Sequence, residues 1–405
     1  MKVIVKGLLA GLLTITGVLP SIGTGEAVAS FKFKDVPANH WAKDAIYKAV
    51  NKGYFKGYSD GTFRPNAKVT RAEFAALMAR VSNNPTTQGL ENFSDLKGHW
   101  AESAVAKAIG MGFISKKDYP NGFKPGTALT RREMAKWMAS GLAANKEDFK
   151  QALSDTKDTL VPVAEYFKGS LNKSDYPYIS VVLGTGLMAG YPDGSFGPNK
   201  TTTRAEAAVI LARYEKVSTK SAESFADLNE LRMVGTKKTN LELVTPFTTG
   251  NTSFTDISGK KKSFRNGAGN LVFHRLIAVN TQNWNDKKSV YAPFFVDDSD
   301  KNFLTKHKGL YPVFMQITIY PKSKQFDVDH YYNGVYDFLS ASPITNDLPN
   351  KFGYFTLPRM YTKEFFKNRP NGVTVWVTKN MDDNGRVGGQ IDMDDGSVVY
   401  FSRKK

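Results

Sequence analysis

One phrase occurs three times in this chain. It reads "VTRAEFAALMARV" from Val69, "LTRREMAKWMASGL" from Leu129 and "TTRAEAAVILARY" from Thr202. A repeat constrains the fold more than any composition does, because a unit of 50 to 60 residues with two short apolar stripes cannot bury them alone. Thr70 with Glu73, Thr130 with Glu133 and Thr203 with Glu206 have the spacing of a capping box, in which the Thr hydroxyl accepts from an amide one turn on and the Glu reaches back. Apolar residues then recur at helical spacing, as in Phe74, Leu77, Met78 and Val81. The Thr and the Glu thus have structural explanations. The Arg between them does not: Arg71, Arg131 and Arg204 fall at the first helical position, where the helix dipole disfavours a cation. Three arginines at one offset suggest an anion site, in which a guanidinium adds to free N-terminal amides.

The repetition extends upstream of each capping box. The first copy runs "FKDVPANHWAKDAIYKAVNKGYFKGYSDGTFRPNAKVTRAEF", and the second begins "FSDLKGHWAESAVAKAIGMGFISKKDYPNGFKPGTALTRREM". Trp41 matches Trp100, Gly53 matches Gly112, Phe63 matches Phe123 and Pro65 matches Pro125. The third copy is looser at its start but returns to register at Gly186, Gly190, Asp193-Gly194, Phe196 and Pro198. Each copy predicts a helix ended by a glycine, a tight turn, a short extended piece and a capped helix. Asp60-Gly61 and Asp193-Gly194 read as turns, and Trp41 and Trp100 suit either a core or a sugar-binding face.

These spaced elements resemble the S-layer homology domain of Gram-positive surface proteins, over residues 31 to 217. The resemblance implies an α-helical pseudo-threefold trimer of repeats, bound non-covalently to a pyruvylated secondary cell-wall polysaccharide in grooves between repeats. The groove residues it implies are Arg71, Arg131 and Arg204, with Asp35, Trp41, Gly57 and Asp60 in the first repeat, Asp95 and Trp100 in the second, and Gly190 and Asp193 in the third. A bidentate guanidinium suits the planar carboxylate of a pyruvyl ketal. Two departures put a groove in doubt. Lys116-Lys117 stand where the first repeat has Gly57-Tyr58, and the third repeat has no Trp at the position of Trp41.

The expected organisation is a signal peptide over residues 1–29, repeats over 30–84, 85–145 and 146–217, and a mostly antiparallel β domain over 218–405. The start carries Lys2 and Lys6, a short apolar run and Ala27-Val28-Ala29, the pattern of a secretory leader. No later stretch is apolar enough to span a bilayer. The chain has no cysteine, which fits a Gram-positive surface and excludes thiol chemistry. The net charge is +17. Residues 31–217 hold 27 Lys and Arg against 18 Asp and Glu, and residues 218–405 hold 26 against 19, so there is no basic tail. A polyanionic wall polymer suits that balance, and nucleic acid does not suit an exported chain.

In the second half the period changes from helical to two. Val313, Met315, Ile317 and Ile319 alternate, as do Val373, Val375 and Val377, with turns expected at Asp383-Asn384-Gly385 and Asp395-Gly396. "TKEFFKNRP" reads as a short helix. "DDSDKNF" lacks the Gly and the terminal acid of a calcium loop. His274, His307 and His330 lack zinc spacing. "DVDHYY" on a strand would send Asp329 and His330 to opposite faces. No catalytic residue and no cofactor emerges. The reading is a cell-wall protein displaying a β-rich module, with other surface proteins as further partners. A tethered wall-remodelling hydrolase and a minor surface-array component are the alternatives.

Overall fold

A computed structural model describes residues 32–82, 92–359, 363–385 and 389–404. The expected signal peptide lies outside them. The first half is helical: α1 (Lys43–Asn51), α2 (Arg71–Val81), α3 (Glu102–Gly110), α4 (Arg131–Asn145), α5 (Glu147–Asp155), α6 (Ala164–Phe167), α7 (Tyr176–Gly184) and α8 (Arg204–Ser218). Helices α2, α4 and α8 start at the three Thr-Arg steps, and each has a reciprocal capping box between its Thr and Glu. Helices α1, α3 and α7 give way to Gly53, Gly112 and Gly186, at φ 71°, 79° and 67°, a region that costs glycine no steric clash.

The three repeats close on one another through backbone bonds. The Val69 amide donates to the Thr202 carbonyl (2.9 Å), the Thr202 amide to Leu129 (3.1 Å) and the Leu129 amide to Val69 (2.8 Å). One residue from each repeat thus completes a ring of three hydrogen bonds, and all three residues are fully buried. The helices follow the same order. The capped helix of each repeat packs on the first helix of the next: α2 on α3, α4 on α7, and α8 on α1. One apolar core runs through all three repeats and on to Leu228. That core includes part of a helix beyond the repeats, α9 (Ala226–Lys237), which lies on α5 and α7. The approach is close. A Cβ on Gly235 of α9 would meet the Asp155 carbonyl oxygen at 1.9 Å, and one on Gly184 of α7 would meet the Leu228 Cα at 2.6 Å.

The second half holds β1 (Phe247–Thr248), β2 (Lys261–Ser263), β3 (Gly269–Ala278), β4 (Leu310–Pro321), β5 (Ser342–Pro343), β6 (Val373–Asp382), β7 (Gly389–Asp392) and β8 (Val398–Arg403). They form two antiparallel sheets, in the orders β2-β3-β4-β6-β5 and β1-β8-β7. On the larger sheet Met315, Ile317 and Ile319 stand opposite Val377, Val375 and Val373, and all six enter one core. The opposite face is covered too at one end. Ile277, Phe314 and Trp376 join Phe294, Phe295 and Phe352 with Leu160 and Ala164 of the third repeat. The sheet is therefore seated on the repeats and not strung behind them.

Three local expectations change. Asp395-Gly396 does turn β7 into β8, but Asp383–Gly385 leads from one sheet into the other and joins no paired strands. "DVDHYY" is not a strand: Asp327 caps the helix Val328–Gly334, accepting from the His330 amide. An Asp before a run that can turn is a cap signal, and it outweighs the apolar alternation around it. The segment from Asp297 likewise becomes a capped turn, Asp297 accepting from the Ser299 amide, and leads into the helix Lys301–Lys306.

The seam between α9 and α5 sets a test. Gly235→Ala puts a methyl against a carbonyl that cannot yield, so it should destabilise the protein by about 2 kcal/mol. Gly126→Ala, where nothing lies within 4 Å, should be neutral or stabilising. Urea denaturation of the two variants measures the difference.

Candidate ligand-binding site

The extended piece of each repeat is held by a carboxylate from earlier in the same repeat. Asp35 accepts from the Phe63 and Arg64 amides at 2.8 and 2.7 Å. Asp95 accepts from the Phe123 and Lys124 amides at 3.1 and 2.7 Å. In the third repeat the same clip is made by Glu165, to the Phe196 and Gly197 amides at 3.0 and 2.8 Å. Each clip fixes a residue in the left-handed region: Arg64 at φ 57°, Lys124 at 54° and Gly197 at 68°. Two of these are not glycine, so two amide bonds to a charged acceptor offset backbone strain of about 1 kcal/mol or more. Burial acts to raise Asp95, but the Lys124 and Phe123 amides outweigh it and hold the carboxyl below its ordinary value.

The clip aims a carbonyl at the preceding repeat, and the repeated arginine meets it. Arg204 donates from Nε to the Phe63 carbonyl (2.9 Å) and from Nη2 to the Lys56 carbonyl (2.9 Å). Arg131 does the same to Phe196 (2.8 Å) and Ala189 (2.6 Å). Arg71 donates from Nη1 to Phe123 (2.8 Å) and from Nε to Glu133 Oε1 (2.8 Å), the other oxygen of Glu133 being engaged with the Thr130 amide. Each guanidinium also lies over a tyrosine of the turn it enters, Tyr58, Tyr119 or Tyr191, about 5 Å from the ring centre. Arg131 and Arg204 are 5% and 7% exposed, and burial depresses both, opposed by neighbouring acidic groups. So the arginine that had no local explanation has a tertiary one. It ties each repeat to the next, a job that cannot be seen within a single copy.

The remaining residues divide between turns and surface. Asp60 Oδ1 accepts from the Thr62 amide and hydroxyl, which with Arg64 draws its carboxyl down to about 2. Asp193 makes the same pair of bonds with Ser195. Gly57 and Gly190 sit where a Cβ would meet the Phe33 ring at 2.2 Å and the Ser195 carbonyl oxygen at 3.1 Å. Trp41 and Trp100 are 66% and 64% exposed. Each lies against the preceding histidine, His40 or His99, whose Nδ1 accepts from the Ala42 or Ala101 amide. The two indoles thus present flat apolar faces to solvent at matching positions.

Lys116 and Lys117 were a departure in the sequence, and the structure gives them a place. With Ser115, Asp118, Lys136 and Tyr178 they line a groove of about 580 Å³ between the second and third repeats. Lys136 pairs with Asp118 at 2.5 Å and lies over the Tyr178 ring. Sequence reasoning passed over three kinds of residue here: Glu165, which stands in the loose start of the third repeat, the three tyrosines, and Lys136. The tyrosines were legible, since each opens a turn that ends in Gly-Phe or Gly-x-Phe.

The arginine geometry predicts an order of stabilities. Arg131→Ala and Arg204→Ala each strand one buried and one part-buried carbonyl and should cost about 3 kcal/mol. Arg71→Ala, which leaves the Glu133 cap intact, and Thr70→Ala should each cost about 1 kcal/mol. Chemical denaturation of the four variants checks it, and equal costs for Arg71 and Arg204 would contradict the assignment.

Among the described residues no helix is long and apolar enough to cross a membrane. The family description "S-layer homology domain" matches residues 32–75, 92–135 and 171–208. The S-layer protein sap of Bacillus anthracis is 33% identical over 215 residues, 52% of this chain and 24% of that protein. A cellulosome-anchoring protein of Acetivibrio thermocellus is 35% identical over 111 residues, 26% of this chain and 24% of its own. An amylopullulanase of Thermoanaerobacterium thermosulfurigenes is 32% identical over 182 residues, 44% of this chain and 9% of that enzyme. The chain thus spans about a quarter or less of these curated relatives. The family match lies within the helical half and ends at residue 208. The chain carries three S-layer homology repeats and is a protein of the cell surface and cell wall.

Proposed function

We propose that the helical half anchors this protein non-covalently to a pyruvylated secondary cell-wall polysaccharide, and that the sheet half is the module it displays. In this reading the three repeats, with α9, act as one pseudo-threefold trimer, and ligand lies in grooves between repeats. The observation that carries it is the exposure of Trp41 and Trp100 on a chain whose other large aromatics are mostly buried. An indole face packs against the apolar face of a pyranose, and a lysine-lined groove adds charge for a ketal carboxylate. The buried Arg131 and Arg204 brace the groove walls, while Lys116 and Lys117 supply positive charge where the second and third repeats meet. Asp35, Asp95, Asp60 and Asp193 shape the turns that border the grooves. The anchoring named in one relative's description is consistent with this.

The full-length protein should co-sediment with walls that keep their polysaccharide and not with walls stripped of it. Mild acid removal of the ketals should abolish most of the binding. Trp100→Ala, which loses a ring contact, and the double change Lys116→Ala with Lys117→Ala, which loses a charge-assisted contact, should each weaken binding about tenfold with unchanged unfolding midpoints. Undiminished binding to ketal-free walls would end the carboxylate part of the reading. Undiminished binding by both variants would move the site elsewhere.

A further inference from the structure

A second cationic site lies where the third repeat meets the larger sheet, apart from the grooves between repeats. Arg275 stands on β3 just past an irregularity, where the pairing with β4 skips His274. Its Nε and Nη1 are shut off from solvent and make no hydrogen bond to any group of the protein. A guanidinium carries its charge at any physiological pH, and leaving its donors unmet in a desolvated place is unfavourable. The buried Arg131 and Arg204 show the contrast, since each spends its donors on two carbonyls.

The surroundings of Arg275 add positive charge. Lys238, which ends α9 at φ 61°, and Lys173 of the third repeat are close enough to interact electrostatically. The one carboxylate in the group is Asp158, and Lys173 already holds it at 2.6 Å. Three cations therefore face one committed anion. Gln316 stands directly across from Arg275 on β4, and Tyr176 of the third repeat is a further neutral neighbour. Next to them a polar row crosses the sheet, His274 Nε2 to the Thr318 hydroxyl (2.7 Å) and on to the Thr374 hydroxyl (2.8 Å). This end of the sheet face is polar, whereas the other end is filled by the aromatic cluster around Phe295 and Trp376.

We propose that Arg275, Lys238 and Lys173 form an oxyanion-binding site at the seam between the third repeat and the sheet, taking a single carboxylate or phosphate group. Arg275 presents its planar donors to two oxygens of the ion, and the two lysines neutralise the remaining charge. Because residues of both halves contribute, an ion there binds only when the halves are docked, and its occupancy holds them together. The seam thus couples the anchor to the module through a small anion of the wall environment.

The test uses the full-length protein and two probes, inorganic phosphate and pyruvate, each titrated at constant ionic strength set with chloride. A saturable rise in the unfolding midpoint with phosphate alone assigns a phosphate site, with pyruvate alone a carboxylate site, and with both a general oxyanion site. Arg275→Gln should remove the response, and Arg275→Lys, which keeps the charge but loses the fork, should raise the apparent Kd about tenfold. Lys173→Gln, on the far side of the seam, should weaken the same response. Lys116→Ala should leave it intact, which separates this site from the groove between repeats. No response beyond chloride to either probe overturns the proposal, as does an undiminished response in Arg275→Gln. If Arg275→Gln fails to fold, Lys173→Gln decides alone, and an unchanged Kd in that variant counts against the site.

Discussion

The arginine at the first position of each capped helix is the interaction on which the helical half depends. A lone repeat could form its capping box but would have no use for its guanidinium, because the carbonyls that accept it belong to the next repeat. The same is true of the backbone bonds just before it, from Val69 to Thr202, from Thr202 to Leu129 and from Leu129 to Val69. Each link requires both partners to be folded, and the third closes on the first. Stability in an open stack of repeats is a sum over neighbours with two weak ends. A closed ring has no ends, so the frayed terminal repeat of a solenoid is avoided without capping modules.

Much of this was legible in the residues, and what was not has a common cause. The Thr and Glu of each phrase declare a local bond, and local bonds can be read from spacing. The Arg declares a bond to another repeat, and a single phrase gives no sign of where its partner lies. Repetition said only that the position mattered. Repetition suggested an anion site, but the oxygens that Arg131 meets are neutral carbonyls of the chain. Glu165 was missed because the third repeat swaps Asp for the longer Glu and then lengthens the following segment, so no fixed offset leads to it. The alternating apolar residues of β4 and β6 were readable. The burial of Trp376 on the opposite face was not, because alternation predicts which residues share a face but not whether a second layer covers the other.

The three copies are equal in their links and unequal in their surroundings. In the first repeat the turn glycine, Gly61, has the flexible Lys34 side chain nearest the position of a Cβ. The matching Gly194 lies against Phe352 and Phe294 of the second half. Phe167, beside that turn, stacks on Phe294 with ring centres 5.1 Å apart. Where the first repeat exposes Trp41, six residues past Asp35, the third has Leu171, six residues past Glu165, and it is buried. Leu171 belongs to the core of the repeats themselves, whereas the neighbouring turn at Gly194 is packed by the second half. A position that is an exposed indole in the first repeat is thus given over to packing in the third.

That exchange bears on how the two halves can move. A module tethered by a free linker would explore a wide volume around its anchor. Here an apolar cluster joins the third repeat to the sheet, and it continues through α9, which packs on α5 and α7 before its chain enters the sheet. Separating the halves would expose Phe294, Phe295 and Phe352 together, and burial of one such ring is worth about 2 kcal/mol. The module is accordingly fixed in orientation relative to the repeats. If the repeats are oriented by the wall polymer they hold, the sheet is oriented with them, and its outward face is set by the same ring of hydrogen bonds that closes the anchor.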